Sequence, residues 1–212
     1  MPKGLFINFE GIDGSGTSTQ VQKLSERIET LDKYQDVLRT HEPWRNDEIK
    51  RKLREDSELY SDGLEIANLF IDDREAHTRE LIIPNLDKRV IILNSRYKMS
   101  TCAYQWAQGV SLDELLNMHK GKTILTPDIT FLLDVPISIA RKRVRKRGDA
   151  LEKFERNSKF IKDLIKKYDV LFNLSIKNPE IFGRVVMMDS NMALEEVADD
   201  VYRGFLEAYD SG

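Results

Sequence analysis

The chain has 212 residues and a single cysteine, enough length for one α/β domain with its own hydrophobic core and no need of disulfides or metal. Its 33 basic and 36 acidic residues nearly cancel to a formal charge of -3, which gives no global argument for a nucleic-acid partner. The apolar runs fall far short of the roughly 20 residues that span a bilayer, so no membrane association is expected, and Cys102 alone cannot form an intramolecular bridge, which suits a reducing compartment.

The first residues, MPKGLFINFE, show no signal-peptide pattern and lead straight into a strand, so a cytoplasmic location is expected. Short apolar, β-branched runs recur at Leu5–Phe9, Val37–Leu38, Val90–Leu93, Ile129–Val135 and Val185–Met188. Continuous apolar runs of this kind read as buried parallel strands rather than half-exposed ones. Between them lie segments with helical spacing. Val21, Leu24, Ile28 and Leu31 share one face; a long segment from Leu64 to Leu86 follows, and Phe154 to Leu174 repeats the pattern. The β-α alternation predicts a parallel sheet covered by helices on both faces, and no linker or repeat divides residues 1–212 into separate domains.

The segment Phe9 to Gln20, FEGIDGSGTSTQ, joins the first strand to the first helix. Gly11, Gly14 and Gly16 allow the backbone to close around an oxyanion, and the amides of Ser15, Thr17, Ser18 and Thr19 then face it at a helix N-terminus. The pattern is that of a phosphate-binding loop, G-x-x-x-x-G-K-[ST], with one departure: Thr17 occupies the lysine position. Ser18 fills the slot whose hydroxyl helps hold Mg²⁺.

Downstream blocks follow in a consistent order: THEP at Thr40–Pro43, LFIDDR at Leu69–Arg74, SRYKMSTCAYQ at Ser95–Gln105, PDITFLLDV at Pro127–Val135 and a basic stretch, KRVRKRGDALEKFE, after Arg141. Together with the opening loop these resemble the thymidylate kinases along nearly the whole chain. The resemblance implies a three-layer P-loop NTPase fold of class α/β, with a five-stranded parallel sheet and a short lid at about 141–155. It implies ATP as co-substrate, dTMP as acceptor, Mg²⁺ as cofactor, and a homodimer joined through helices.

The same resemblance implies roles for individual residues. Phe70 stacks on the base and Arg74, one helical turn on, bonds its exocyclic oxygen; a salt bridge to Asp72 or Asp73 is the plainer reading of Arg74. Glu42 belongs to the turn after the second strand. Arg96, at the carboxyl end of a strand, grips the acceptor phosphate, and Asp13 contacts the 3′-hydroxyl. Thr101 contacts the pyrimidine, Tyr104 crowds the sugar 2′ position, and Gln105 lies beside them. The lid supplies cations to the transferring phosphoryl group, with Arg143 and Arg147 as the candidates and Lys98 as a further source.

Two positions depart from the family pattern: Thr17 replaces a lysine, and Ser95 replaces an acid that organises the magnesium shell, a task left to Glu10 and Asp13. The expected reaction is therefore dTMP phosphorylation, with two alternatives: a kinase for another deoxynucleoside monophosphate, or a nucleotide-binding homologue with impaired catalysis. His41, His77 and His119 have no metal-ligand spacing.

Overall fold

In the computed structural model, residues 4–55, 62–146, 148 and 157–210 are described. The five expected strands all form: β1 (Leu5–Gly11), β2 (Val37–His41), β3 (Ile91–Ser95), β4 (Ile129–Asp134) and β5 (Arg184–Asp189). They make one parallel sheet in the order β2-β3-β1-β4-β5, with β1 buried along its whole length at the centre.

Period-two alternation sends successive β1 side chains to opposite layers. Leu5, Ile7 and Phe9 pack with Val21, Leu24 and Ile28 of α1 (Thr17–Leu31) and with Val197, Val201 and Phe205 of the C-terminal helix (Leu194–Asp210). Phe6 turns the other way, toward Ile82, Ile92 and Tyr97. On that side lie α2 (Asp47–Glu55), α3 (Gly63–His77), α4 (Ile83–Leu86) and α5 (Lys98–Ala107). They are followed by α6 (Leu112–Met118), α7 (Ile137–Lys146), α8 (Ser158–Lys177) and the short α9 (Pro179–Phe182), which leaves the C-terminal helix as α10. The chain thus has the three-layer α/β architecture with a five-stranded parallel sheet that the sequence pattern predicts.

Two helix boundaries differ from the expected ones, for local reasons. The segment from Leu64 to Leu86 is not one regular helix: a wide turn at Thr78–Ile82 separates α3 from α4. Pro84, the second residue of α4, lacks an N–H and so removes one helical donor. The helix expected from Phe154 is described from Ser158, where the Asn157 side chain accepts from the amides of Lys159 and Phe160 at 3.0 Å. Residues 149–156, and with them much of the expected lid, lie outside the described residues.

The carboxyl ends of the strands converge on one rim. There β1 runs into the glycine loop, β2 into Glu42, and β3 into Arg96, the edge at which open parallel sheets receive ligands. Asn157→Ala, which removes the cap of α8, should lower unfolding free energy by about 1 kcal/mol in urea titration.

Candidate active site

The glycine loop is shaped from both sides. Gly14 has φ +81°, and a Cβ there would come within 2.4 Å of the Ala140 carbonyl of α7, so no larger residue fits. Gly16, also left-handed at φ 106°, begins α1, and no side chain among the described residues caps that helix. Its first-turn amides are therefore free to meet an anion. Thr17 is buried, while Ser18 and Thr19 are exposed.

Arg143, expected as a free lid cation, is bonded to the loop instead. Its Nη2 donates to the Ser190 carbonyl at 2.7 Å, and its Nη1 reaches Ser190 Oγ at 3.2 Å and the Gly14 and Ser15 carbonyls at 3.4 Å. Ser190 Oγ in turn donates to the Ser15 carbonyl at 2.5 Å. The guanidinium thus ties the loop to the end of β5. Lys98 also departs from its expected place. Its ammonium lies 5.7 Å from the Phe182 ring centroid, in a separate cavity with Asp113, His119 and Glu180, and burial lowers its pKa. Arg147 lies outside the described residues.

All eight residues assigned to the acceptor side line one cavity of about 150 Å³: Asp13, Glu42, Phe70, Arg74, Arg96, Thr101, Tyr104 and Gln105. Pro43, Leu53, Tyr97 and Ser100 complete its wall. Arg96 adopts φ +71°, unusual for a non-glycine residue, and its amide donates to the Phe9 carbonyl at 2.8 Å. Asn94 braces this turn by donating to the Arg96 carbonyl at 2.6 Å. The Arg96 side chain pairs with Asp13 at 2.5 Å, and its charge stands 5.8 Å from the Tyr104 ring centroid. Tyr168 of α8 brings its hydroxyl to within 3.1 Å of Ser100, 3.3 Å of the Gly11 carbonyl and 3.4 Å of Arg96 Nη1.

Arg74 is not paired with Asp72 or Asp73. Asp72 meets Lys122 at 2.8 Å, and Asp73 accepts from the amides of Trp44, Arg45 and Asn46 at 2.5, 2.9 and 3.0 Å. Arg74 gives Nε and Nη2 to Glu42 Oε2 at 2.9 and 2.6 Å, a second Nη2 hydrogen to Thr101 at 2.8 Å, and one Nη1 hydrogen to His119 at 3.0 Å. Gln105 donates to Gln108 at 3.0 Å and leaves its own Oε1 buried without a partner among the described residues.

Ser95, at the position of the expected acid, is buried, and its carbonyl accepts from the Glu42 amide at 3.0 Å. Neither acid expected to substitute for it stands free. Asp13 is paired with Arg96. Glu10 accepts from the Tyr97 amide at 2.9 Å, from Asn8 at 3.1 Å and from the Ser100 hydroxyl, at the start of α5. Burial raises the Glu10 pKa against those hydrogen bonds and the Arg96 charge. Cys102, pushed up to about 12 by burial, is a packing residue rather than a nucleophile.

The family model described as thymidylate kinase matches residues 9–201. The chain belongs to the thymidylate kinase family. It is 35% identical to a probable thymidylate kinase of Pyrococcus abyssi over 206 residues, covering 94% of each chain. Identity is 33% to a thymidylate kinase of Mycoplasma capricolum, covering 96% of this chain and 95% of that one. A thymidylate kinase of Desulfotalea psychrophila is 34% identical over 80% of this chain and 81% of its own. Membership makes this chain one of the nucleoside monophosphate kinases, with nucleotides as substrates. No helix among the described residues is long and apolar enough to cross a membrane.

His119, Tyr97, Ser100 and Tyr168 are site neighbours that sequence reasoning missed. Ser100 and Tyr97 stand inside the SRYKMSTCAYQ block, which was the available signal; His119 and Tyr168 carried none.

Glu10 offers a test of the site's electrostatics. A raised folded pKa means its contribution to stability is fully present below the unfolded pKa and is lost as pH rises through the folded one. Glu10→Gln removes that titration. The stability of the unsubstituted protein relative to Glu10→Gln should therefore decline as pH rises above the ordinary carboxylate range in denaturant titrations.

Proposed function

We propose that this chain transfers the γ-phosphoryl group of ATP to dTMP, giving ADP and dTDP. A dTMP phosphate oxygen forms the new bond to the γ-phosphorus as the bond to the β,γ-bridging oxygen breaks, and the electron pair leaves with ADP. Such transfer depends on positioning and electrostatics rather than on a covalent protein intermediate.

The observation that carries the choice of base is the hydrogen-bonding complement of the cavity. Arginine has five N–H donors; the contacts of Arg74 occupy four, which leaves one on Nη1 among the described residues. Gln105, one helical turn from the Thr101 that touches Arg74, offers an unpaired buried acceptor. One donor beside one acceptor suits a 4-oxo, 3-NH pyrimidine edge. Cytosine presents the reverse pattern, an amino donor at position 4 and an acceptor at N3. Phe70 provides an apolar wall for the ring, and Arg96 the charge for the acceptor phosphate.

The donor-rich start of α1 would receive the ATP phosphates. The exposed Ser18 hydroxyl fits Mg²⁺ that arrives with the nucleotide, an ion commonly held by few protein groups and substrate phosphates. When bound, it would neutralise phosphate charge. Arg143, through the loop carbonyls, holds the cradle in shape, and Arg147 is the proposed cation of the lid.

Thr17 and Ser95 favour a second reading, a homologue that binds nucleotides without transferring phosphate. Coupled ADP release over a panel of monophosphates separates the two. We expect dTMP to exceed dCMP by at least roughly a hundredfold in kcat/KM, because the wrong base leaves buried polar groups unpaired. Calorimetric ATP binding with no turnover on any monophosphate would support the second reading instead. Arg147→Ala should lower kcat by roughly a hundredfold or more in the same assay; full turnover would remove it from the mechanism.

A further inference from the structure

His119 follows α6 and stands behind the base-recognition arginine rather than in the cavity that arginine lines. Its Nδ1 is 2.7 Å from the Leu115 carbonyl, an acceptor only, so Nδ1 carries the ring hydrogen. Nε2 is then an acceptor, and it meets Arg74 Nη1 at 3.0 Å. Burial, and after it the Arg74 charge, pushes the His119 pKa down to about 3, which keeps that lone pair available near neutral pH.

Glu42 and Thr101 hold only the Nε and Nη2 edge of the Arg74 fork. Without a third contact Nη1 would carry two free hydrogens. It could then swing about the held edge and meet acceptors at either of two neighbouring base positions. With His119 in place, one hydrogen is consumed and the other has a fixed direction.

We propose that His119 is a positioning and specificity residue: by accepting one Nη1 hydrogen it fixes the Arg74 guanidinium and leaves a single donor for the 4-oxo group of a pyrimidine. The proposal rests on the reading that dTMP occupies the cavity. No comparable role follows for His77, which bonds Glu42 at 3.3 Å and Thr40 at 2.9 Å and does not touch Arg74.

The test must keep water out of the vacated place. His119 also borders the separate cavity of about 450 Å³ that holds Lys98, and a truncated side chain there would admit a water able to accept from Nη1. His119→Leu fills the space without an acceptor, whereas His119→Gln places an amide oxygen near the position of Nε2. Steady-state assays with dTMP and dCMP, and thermal melting of each variant, supply the readout.

For His119→Leu we expect KM for dTMP to rise roughly tenfold with kcat within about twofold, and the dTMP/dCMP ratio of kcat/KM to fall by a similar factor. His119→Gln should recover KM to within about threefold of the unsubstituted protein. If His119→Leu does not fold, His119→Phe, which keeps a ring in the space with a C–H where Nε2 stood, is judged by the same criteria. An unsubstituted protein without turnover on dTMP overturns this inference together with the proposed function. Turnover on dTMP with an unchanged KM and base preference in a folded His119→Leu or His119→Phe overturns this inference alone.

Discussion

The ion pair of Glu42 with Arg74 is the constraint on which the acceptor cavity depends. Both side chains are 1% exposed and lie 2.6 Å apart. Withdrawing two charges from water costs several kcal/mol per ion, and only close geometry with further hydrogen bonds offsets that. Here the carboxylate takes two guanidinium hydrogens and borders His77, while the guanidinium also reaches Thr101 and His119. The pair joins the end of β2 to α3, α5 and the residue after α6. Because breaking a buried pair leaves one charge alone, a penalty of about 3–5 kcal/mol, the packing of four elements is committed to this one geometry.

The phosphate side is built on a different balance. Relative to the family pattern, Thr17 removes a positive charge and Ser95 removes a negative one, so the two departures together leave the local net charge unchanged. Among the described residues, Arg96 is engaged by Asp13, and Arg143 by the carbonyls of the loop and Ser190. On the proposed reading, oriented backbone amides of the loop contribute to phosphate attraction with partial charges that need no counter-ion and do not titrate.

Much of the fold was legible because it rests on short-range patterns. Apolar runs at Leu5, Val90 and Ile129 marked strands buried on both faces, and the glycines at 11, 14 and 16 marked the turn that follows the central one. The cavity was legible through blocks resembling a known family, and Phe70, Arg74, Arg96 and Gln105 do line one cavity. What stayed hidden was pairing. His119 acts on a residue 45 positions away, and Tyr168 on one 157 positions away, with nothing in spacing or composition to link them. Arg143 was expected in the lid through the family resemblance of its block; its partners, the carbonyls of Gly14, Ser15 and Ser190, are backbone groups that no side-chain pattern reveals. The wide turn at Thr78–Ile82 was missed because no glycine or proline falls within it to mark a break.

Two adjacent residues of α3 grip the same stretch of chain from different sides. Asp73 gathers the amides of Trp44, Arg45 and Asn46, while Arg74 takes the carboxylate of Glu42. The connection leaving β2 is thereby bolted to a single helical turn at both of its ends. Any rotation of that helix would carry the segment with it, so the width of the cleft and the direction of the Arg74 guanidinium are geared together.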